Sequence, residues 1–327
     1  MRQLSAAAEF KMYILVAKQL LIMSLVAVIS FFFSRSRKTG ETESRYLSNL
    51  LLFVISPCLI FSTFDIRFDT GKMKDIAIMM AVALGVQILL TLIAAASIRS
   101  RTETGKARDP FDKMAVIYSN AGFIGIPLIN GVFGQPGVFL LMGYIVVYNF
   151  YLWTNGIFLV THKISIKQIV TNPNIIAIFA GMLLFILPVR LPDIISQTVR
   201  LVGDLNTAVS MILLGILFAN FKKPVRGEKS PAFRIAKTTV LRLIVSPLIL
   251  LAFLWFVGHV LVTGTDIRRT LMILFIASSC PAGMCIANFA VLYDSKNESY
   301  GSLLVSVSSL LCVVTIPLLA RLADLVL

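Results

Sequence analysis

The chain has 327 residues, 57% of them apolar and 14% charged, with a mean hydropathy of +0.88. A soluble domain carries about a quarter charged residues, so this deficit excludes that class and leaves a polytopic membrane protein. Lys and Arg outnumber Asp and Glu by 30 to 16, a net charge of +14. The basic residues fall in short loops between apolar runs, where they set topology and meet anionic headgroups rather than bind nucleic acid.

The first apolar run, "YILVAKQLLIMSLVAVISFFF", is too long for a signal-peptide core and lacks a small-residue cleavage site, so it reads as a first span. Runs long enough to cross the hydrocarbon core as helices predict ten spans. The first five are 12–33, 46–64, 75–98, 113–133 and 137–161; the second five are 174–190, 199–220, 235–261, 270–292 and 301–323. The linkers are short, and no soluble domain fits between any two spans. The odd-numbered loops hold 18 basic residues, against 10 in the even loops and termini. The odd loops are therefore expected in the cytoplasm, and both termini outside a plasma membrane. Because five is odd, the halves 1–165 and 166–327 run in opposite orientation, which permits an inverted repeat.

Two spans carry residues that break helices. The fourth contains "SNAGFIGIPLI" and the ninth "SSCPAGM". Pro127 lacks an amide hydrogen and clashes with the carbonyl one turn back, which predicts a kink or unwinding near Phe123, eased by Gly122 and Gly125. Pro281, flanked by Ser278, Ser279 and Gly283, makes the same demand on the ninth span. Backbone groups freed in this way must line a cavity or contact protein. Gly/Pro-interrupted spans at matching places in two halves point to a transporter binding site. If the two breaks cross, half-helix N-termini converge there and suit a carboxylate.

Asn120 precedes the first break, and its amide can donate to an anion without a buried charge. An interhelical hydrogen bond is an equal reading on physics alone. In "TNPN", Asn172 before Pro173 is an N-cap with proline at the first helical position, which leaves Asn174 as a binding candidate. Asp109-Pro110 and Asp112 read as a structural cap at the start of the fourth span. Lys18 and Arg242 lie toward span ends. Asp204 is the one acid at some depth and a candidate for proton coupling. The four cysteines sit inside apolar runs without a C-x-x-C pair and read as small hydrophobes, and the two histidines have no zinc spacing. No cofactor or metal is expected.

These stretches resemble the auxin efflux carrier family. "SNAGFIGIPLINGVFG" is similar to its fourth-helix signature, in which an Asn precedes a Gly-Ile-Pro break. "LLLFVISPCLIFSTF", "NPNIIAIFAGMLL", "GDLNTAVSMILLGILFA", "SCPAGMCIANFAVLYD" and "SLLVSVSSLLCVVTIPLL" resemble its second, sixth, seventh, ninth and tenth spans. The resemblance implies an all-α carrier of ten helices in two inverted five-helix repeats, with helices 4 and 9 broken and crossing at Pro127 and Pro281. It implies an elevator mechanism, in which helices 3–5 and 8–10 move against a scaffold of helices 1, 2, 6 and 7, and a homodimer. It implies that Asn120 and Asn174 hold the substrate carboxylate. The linker "HKISIKQIVT" is short, as in prokaryotic members, whose implied substrates include malate and malonate.

The sequence thus predicts a secondary carrier for small organic anions, with Asn120, Asn174, Gly125, Pro127, Ser279 and Pro281 at the site. A sodium-coupled symporter of the bile-acid type and an anion sensor without transport are the alternatives. An enzyme is disfavoured, because no nucleophile–base constellation has useful spacing.

Overall fold

The computed structural model describes residues 2–37, 39–65, 70–163, 167, 170–187, 191–219, 232–261 and 267–327. The basic linker 220–231, the expected boundary at 165/166 and the expected end of the sixth span (188–190) lie outside the described residues. The described residues are helical apart from connections and one isolated bridge. In chain order the helices are α1 (Arg2–Arg37), α2 (Thr42–Thr63), α3 (Thr70–Ser97), α4 (Glu103–Ile117) and α5 (Ala121–Thr161). There follow α6 (Pro173–Ile186), α7 (Asp193–Ala219), α8 (Ala232–Val260), α9 (Arg268–Ser278), α10 (Cys285–Tyr293) and α11 (Glu298–Val326).

Among the described residues seven helices are long and apolar enough to cross a membrane, and α6 is a shorter apolar helix. Ile29, Phe32, Leu92, Leu201 and Leu318 stand exposed on α1, α3, α7 and α11, as a lipid-facing surface requires. The chain is a polytopic membrane protein.

Prolines shape these helices through one recurring device. Wide π-turns at Leu51–Ile55, Ala121–Gly125 and Leu241–Val245 each end two residues before a proline, at Pro57, Pro127 and Pro247. A proline cannot donate to the preceding turn and collides with it, and a widened turn absorbs both problems without ending the helix. Gly134 leaves helical geometry inside α5, at φ +66° and ψ −168°. That left-handed value favours glycine, and it falls between the expected fourth and fifth spans.

Helix α1 packs chiefly on α7, and α7 and α6 pack on α2; α3 packs on α5, and α10 on α11. The contact of α1 with α7 is a backbone approach. A Cβ at Gly215 would lie 2.3 Å from the Ala27 carbonyl oxygen. Ser30 Oγ donates to the Ile212 carbonyl at 2.7 Å in the same region. Small residues and hydroxyl bonds of this kind hold helices together where lipid removes the hydrophobic driving force.

Candidate functional site: a chain crossing beside a cavity

The chain leaves the helix between α4 and α5 and again between α9 and α10, in the stretches expected as the fourth and ninth spans, and the two breaks lie against each other. Between α4 and α5 residues Tyr118–Asn120 leave the helix, and between α9 and α10 the chain does so around Pro281–Gly283. Ser119 and Ala282 form an antiparallel bridge. The Asn120 amide donates to the Pro281 carbonyl at 2.7 Å, and the Gly283 amide to the Tyr118 carbonyl at 2.9 Å. Unpaired backbone in a membrane is costly, and here each break supplies partners for the other. A Cβ on Gly283 would sit 3.0 Å from the Ser119 oxygen and 3.2 Å from that of Tyr118, so only glycine fits without displacing backbone.

The helix is distorted where Pro127 demands it, by a π-turn at Ala121–Gly125 centred on Phe123, and the chain leaves the helix just before that turn, at Tyr118–Asn120. In a π-turn the Gly122 carbonyl would pair with residue 127, which has no amide hydrogen. Asn206 of α7 fills the gap, its Nδ2 donating to Gly122 O at 3.1 Å.

Helix ends of opposite sign separate at the crossing. The C-terminal ends of α4 and α9 meet the side chain of Arg242, which lies in the π-turn of α8 and is 1% exposed. Its Nε donates to Cys280 O at 2.9 Å, and Nη1 to Val116 O at 2.7 Å. Nη2 donates to Cys280 O at 2.7 Å and also to Ser278 O. An isolated Arg at the centre of a membrane costs at least about 2.5 kcal/mol. Here the carbonyls of two half-helices, each carrying partial negative charge, compensate it.

The N-terminal ends of α5 and α10 have no such plug. The first amides of a helix lack intrahelical partners, and these two ends border a cavity of about 410 Å³. Asn120, Gly122, Met284 and Cys285 line it, together with Asn174 from α6. Asn120 is 4% exposed, and among the described residues nothing hydrogen-bonds its side-chain amide. Asn174 Nδ2 donates to Leu52 O at 3.1 Å, while its buried Oδ1 has no partner. On the opposite wall, Asn288 accepts from Ser48 Oγ at 2.9 Å, and its Nδ2 is buried and unpaired. Arg45 lines the mouth and is the one charged side chain among the described lining residues.

The residues expected at the site thus divide. Asn120 and Asn174 line the cavity, 54 positions apart in sequence. Gly125, Pro127, Ser279 and Pro281 do not line it; Pro281 lies in the crossing, and Pro127 lies in the first turn of the helix after the π-turn. Gly125 faces Ala277 and Cys280 of the other broken span, and Ser279 is buried with an unpaired Oγ. Asp204 lies on the exposed side of α7, away from the cavity.

Asn172 is the N-cap of α6, its Oδ1 accepting from the amides of Asn174 and Ile175 at 2.9 and 3.3 Å. Asp109 is not a cap. Thr102 caps α4, and Asp109 lies a turn and a half inside, accepting from Ser100 N and Oγ at 2.9 and 2.7 Å. Asp112 joins it in a buried cluster with Arg234, Thr238 and Tyr300 that ties α4 to α8 and α11.

Arg45, Asn206, Arg242 and Asn288 were not foreseen as site residues. Asn206 and Asn288 lie within apolar runs, and a polar side chain at such depth is the signal that marks them.

A family model described as "Membrane transport protein" matches residues 15–165 and 157–320. No curated protein matches the chain. The matched ranges cover nearly all of it, and members of that family are transporters rather than enzymes. The chain is a multi-pass membrane transporter and belongs to the auxin efflux carrier family of membrane transport proteins.

Proposed function

We propose that the protein is a secondary carrier for a small organic anion, and that the anion's carboxylate binds between Asn120 and the open amide ends of α5 and α10. The observation that carries this reading is the charge pattern of the cavity. Two half-helix N-termini and six asparagines border it, among them Asn120, Asn174 and Asn288, and the exposed Arg45 lines it too. No Asp or Glu is among its described lining residues. Amide donors and positive helix ends favour a carboxylate, whereas a cationic cargo would meet no counter-charge. The unpaired Asn174 Oδ1 is suited to a donor on the same ligand, such as a hydroxyl.

In this reading the fourth span is α4 with the start of α5, the ninth is α9 with α10, and ten spans make two inverted five-helix repeats. Helices of spans 3–5 and 8–10 move as one body against a scaffold of spans 1, 2, 6 and 7. The cavity lies between them, with Asn120 on the moving body and Asn174 on the scaffold. Its mouth carries Ser44, Arg45 and Ser299, which belong to the basic odd-numbered loops. On this reading the cavity opens to the cytoplasm and both termini lie outside a plasma membrane. A homodimer packed through the scaffold fits the same scheme.

The test is uptake of radiolabelled malate, malonate and indole-3-acetate into proteoliposomes, by the wild type and by Asn120→Ala and Asn174→Ala. Saturable uptake of one acid that falls at least tenfold in both variants supports the reading. Binding without flux would convert it to an anion sensor, and uptake indifferent to both variants would remove the site.

A further inference from the structure

We propose that Arg242 is a resident cation of the crossing. Its guanidinium fills the place between two half-helix C-termini where a coupling ion would otherwise be held, so the anion cycle runs without sodium. This inference rests on the carrier reading above and deepens it by naming its ion dependence.

The argument starts from the oxygens. Val116 lies in the last turn of α4, Ser278 ends α9 and Cys280 lies two residues beyond it, and all three carbonyls accept from the Arg242 guanidinium. Carbonyls at the C-terminal ends of broken helices are the groups that coordinate Na⁺ in broken-helix transporters, because the helix dipole adds negative charge to each. Two such ends brought together in a membrane without a cation would repel each other and leave acceptors unpaired. Here Nε, Nη1 and Nη2 each donate into that cluster. The planar fork of a guanidinium matches a spread of acceptors that a single ammonium could not serve.

The sequence places this cation by a local device. Pro247 imposes the π-turn Leu241–Val245, and Arg242 sits in that turn with its side chain buried at the crossing. No carboxylate bonds Arg242 among the described residues, so its charge is answered by backbone alone. A bound ion can leave in each cycle and so couples transport to its own gradient. A cation tethered to α8 cannot leave. It travels with both broken spans and holds the two amide ends in register on the cavity side.

The test uses purified full-length protein in detergent, melted at constant ionic strength in choline, sodium or methylguanidinium chloride. The wild type is expected to melt alike in choline and sodium. Arg242→Ala is expected to melt lower, to recover with methylguanidinium in a saturable way, and to gain a sodium response the wild type lacks. A merely structural arginine would show the loss without the cation-selective recovery.

Arg242→Lys and Arg242→Gln guard against a variant that does not fold. The lysine should fall between wild type and glutamine, and the glutamine should show the same cation response as alanine. Sodium stabilisation of the wild type, or variants that stay folded and respond to no cation, would overturn the proposal. Carboxylate stabilisation that depends on Asn120 is read out separately, so the anion site can stand even if the resident cation falls.

Discussion

The two sides of the crossing are built from the same backbone and carry opposite chemistry. On one side the carbonyl ends of α4 and α9 converge on a buried arginine that donates from all three of its side-chain nitrogens. On the other the amide ends of α5 and α10 face open space, beside asparagines with unused hydrogen-bonding groups. The closed side is finished by the protein itself. On the proposed reading the open side takes the ligand, and the unpaired groups there set what that ligand must bring.

This contrast predicts a graded set of responses. Arg242→Ala should be the most damaging change. It orphans three buried carbonyls at about 1–3 kcal/mol each, so a loss of at least about 3 kcal/mol is expected in denaturant melts of the purified protein. Gly283→Val comes next, because its Cβ would press on backbone oxygens at 3.0 and 3.2 Å. Overpacking of this kind costs about 1–3 kcal/mol, and a melting point unchanged from wild type would contradict the crossing geometry.

Asn206→Leu leaves Gly122 O without its donor and should cost about 1–2 kcal/mol. Combined with Gly283→Val, it should add without large coupling if the two act at separate contacts, and a double-mutant cycle reads this directly. Asn120→Ala should have the smallest effect on stability, within about 0.5 kcal/mol, since no hydrogen bond ties its side chain to the described residues. Its effect belongs to ligand binding. A large loss of stability in that variant would mean that Asn120 is a strut and not a contact for cargo.

Much of this arrangement is legible in the sequence, and the residues show why the rest is not. Hydropathy locates the long helices, and the clustering of Gly, Ser and Pro around Pro127 and Pro281 marks the two stretches where the chain leaves the helix, whereas Pro57 and Pro247 lie in helices that continue. Asn120 and Asn174 stand out as amides at broken or capped ends. Arg242 does not. Its partners are carbonyls 36 to 126 positions away, and backbone carbonyls have no sequence signature.

Read alone, Arg242 is one more basic residue near a helix end. Asp109 misleads in the opposite sense. Asp-Pro resembles a cap, but Thr102 starts the helix earlier, and the carboxylate turns back to Ser100 and across to Arg234. Asp204 was singled out for its depth along the chain, yet depth does not say which face of a helix a residue occupies, and the structure puts it on the exposed one. Pro127 was expected at the break and sits beyond it, because a wide turn can absorb a proline that a regular turn cannot.

The most direct test of the central claim is the melting point of wild type and Asn120→Ala with a panel of small carboxylates. A ligand at 100 times its Kd stabilises the folded state by about 2.7 kcal/mol, well within reach of a thermal melt. The account predicts that at least one acid raises the wild-type melting point in a saturable way and leaves Asn120→Ala unmoved. Equal stabilisation of both proteins, or none by any carboxylate, would contradict an anion site on the open side of the crossing.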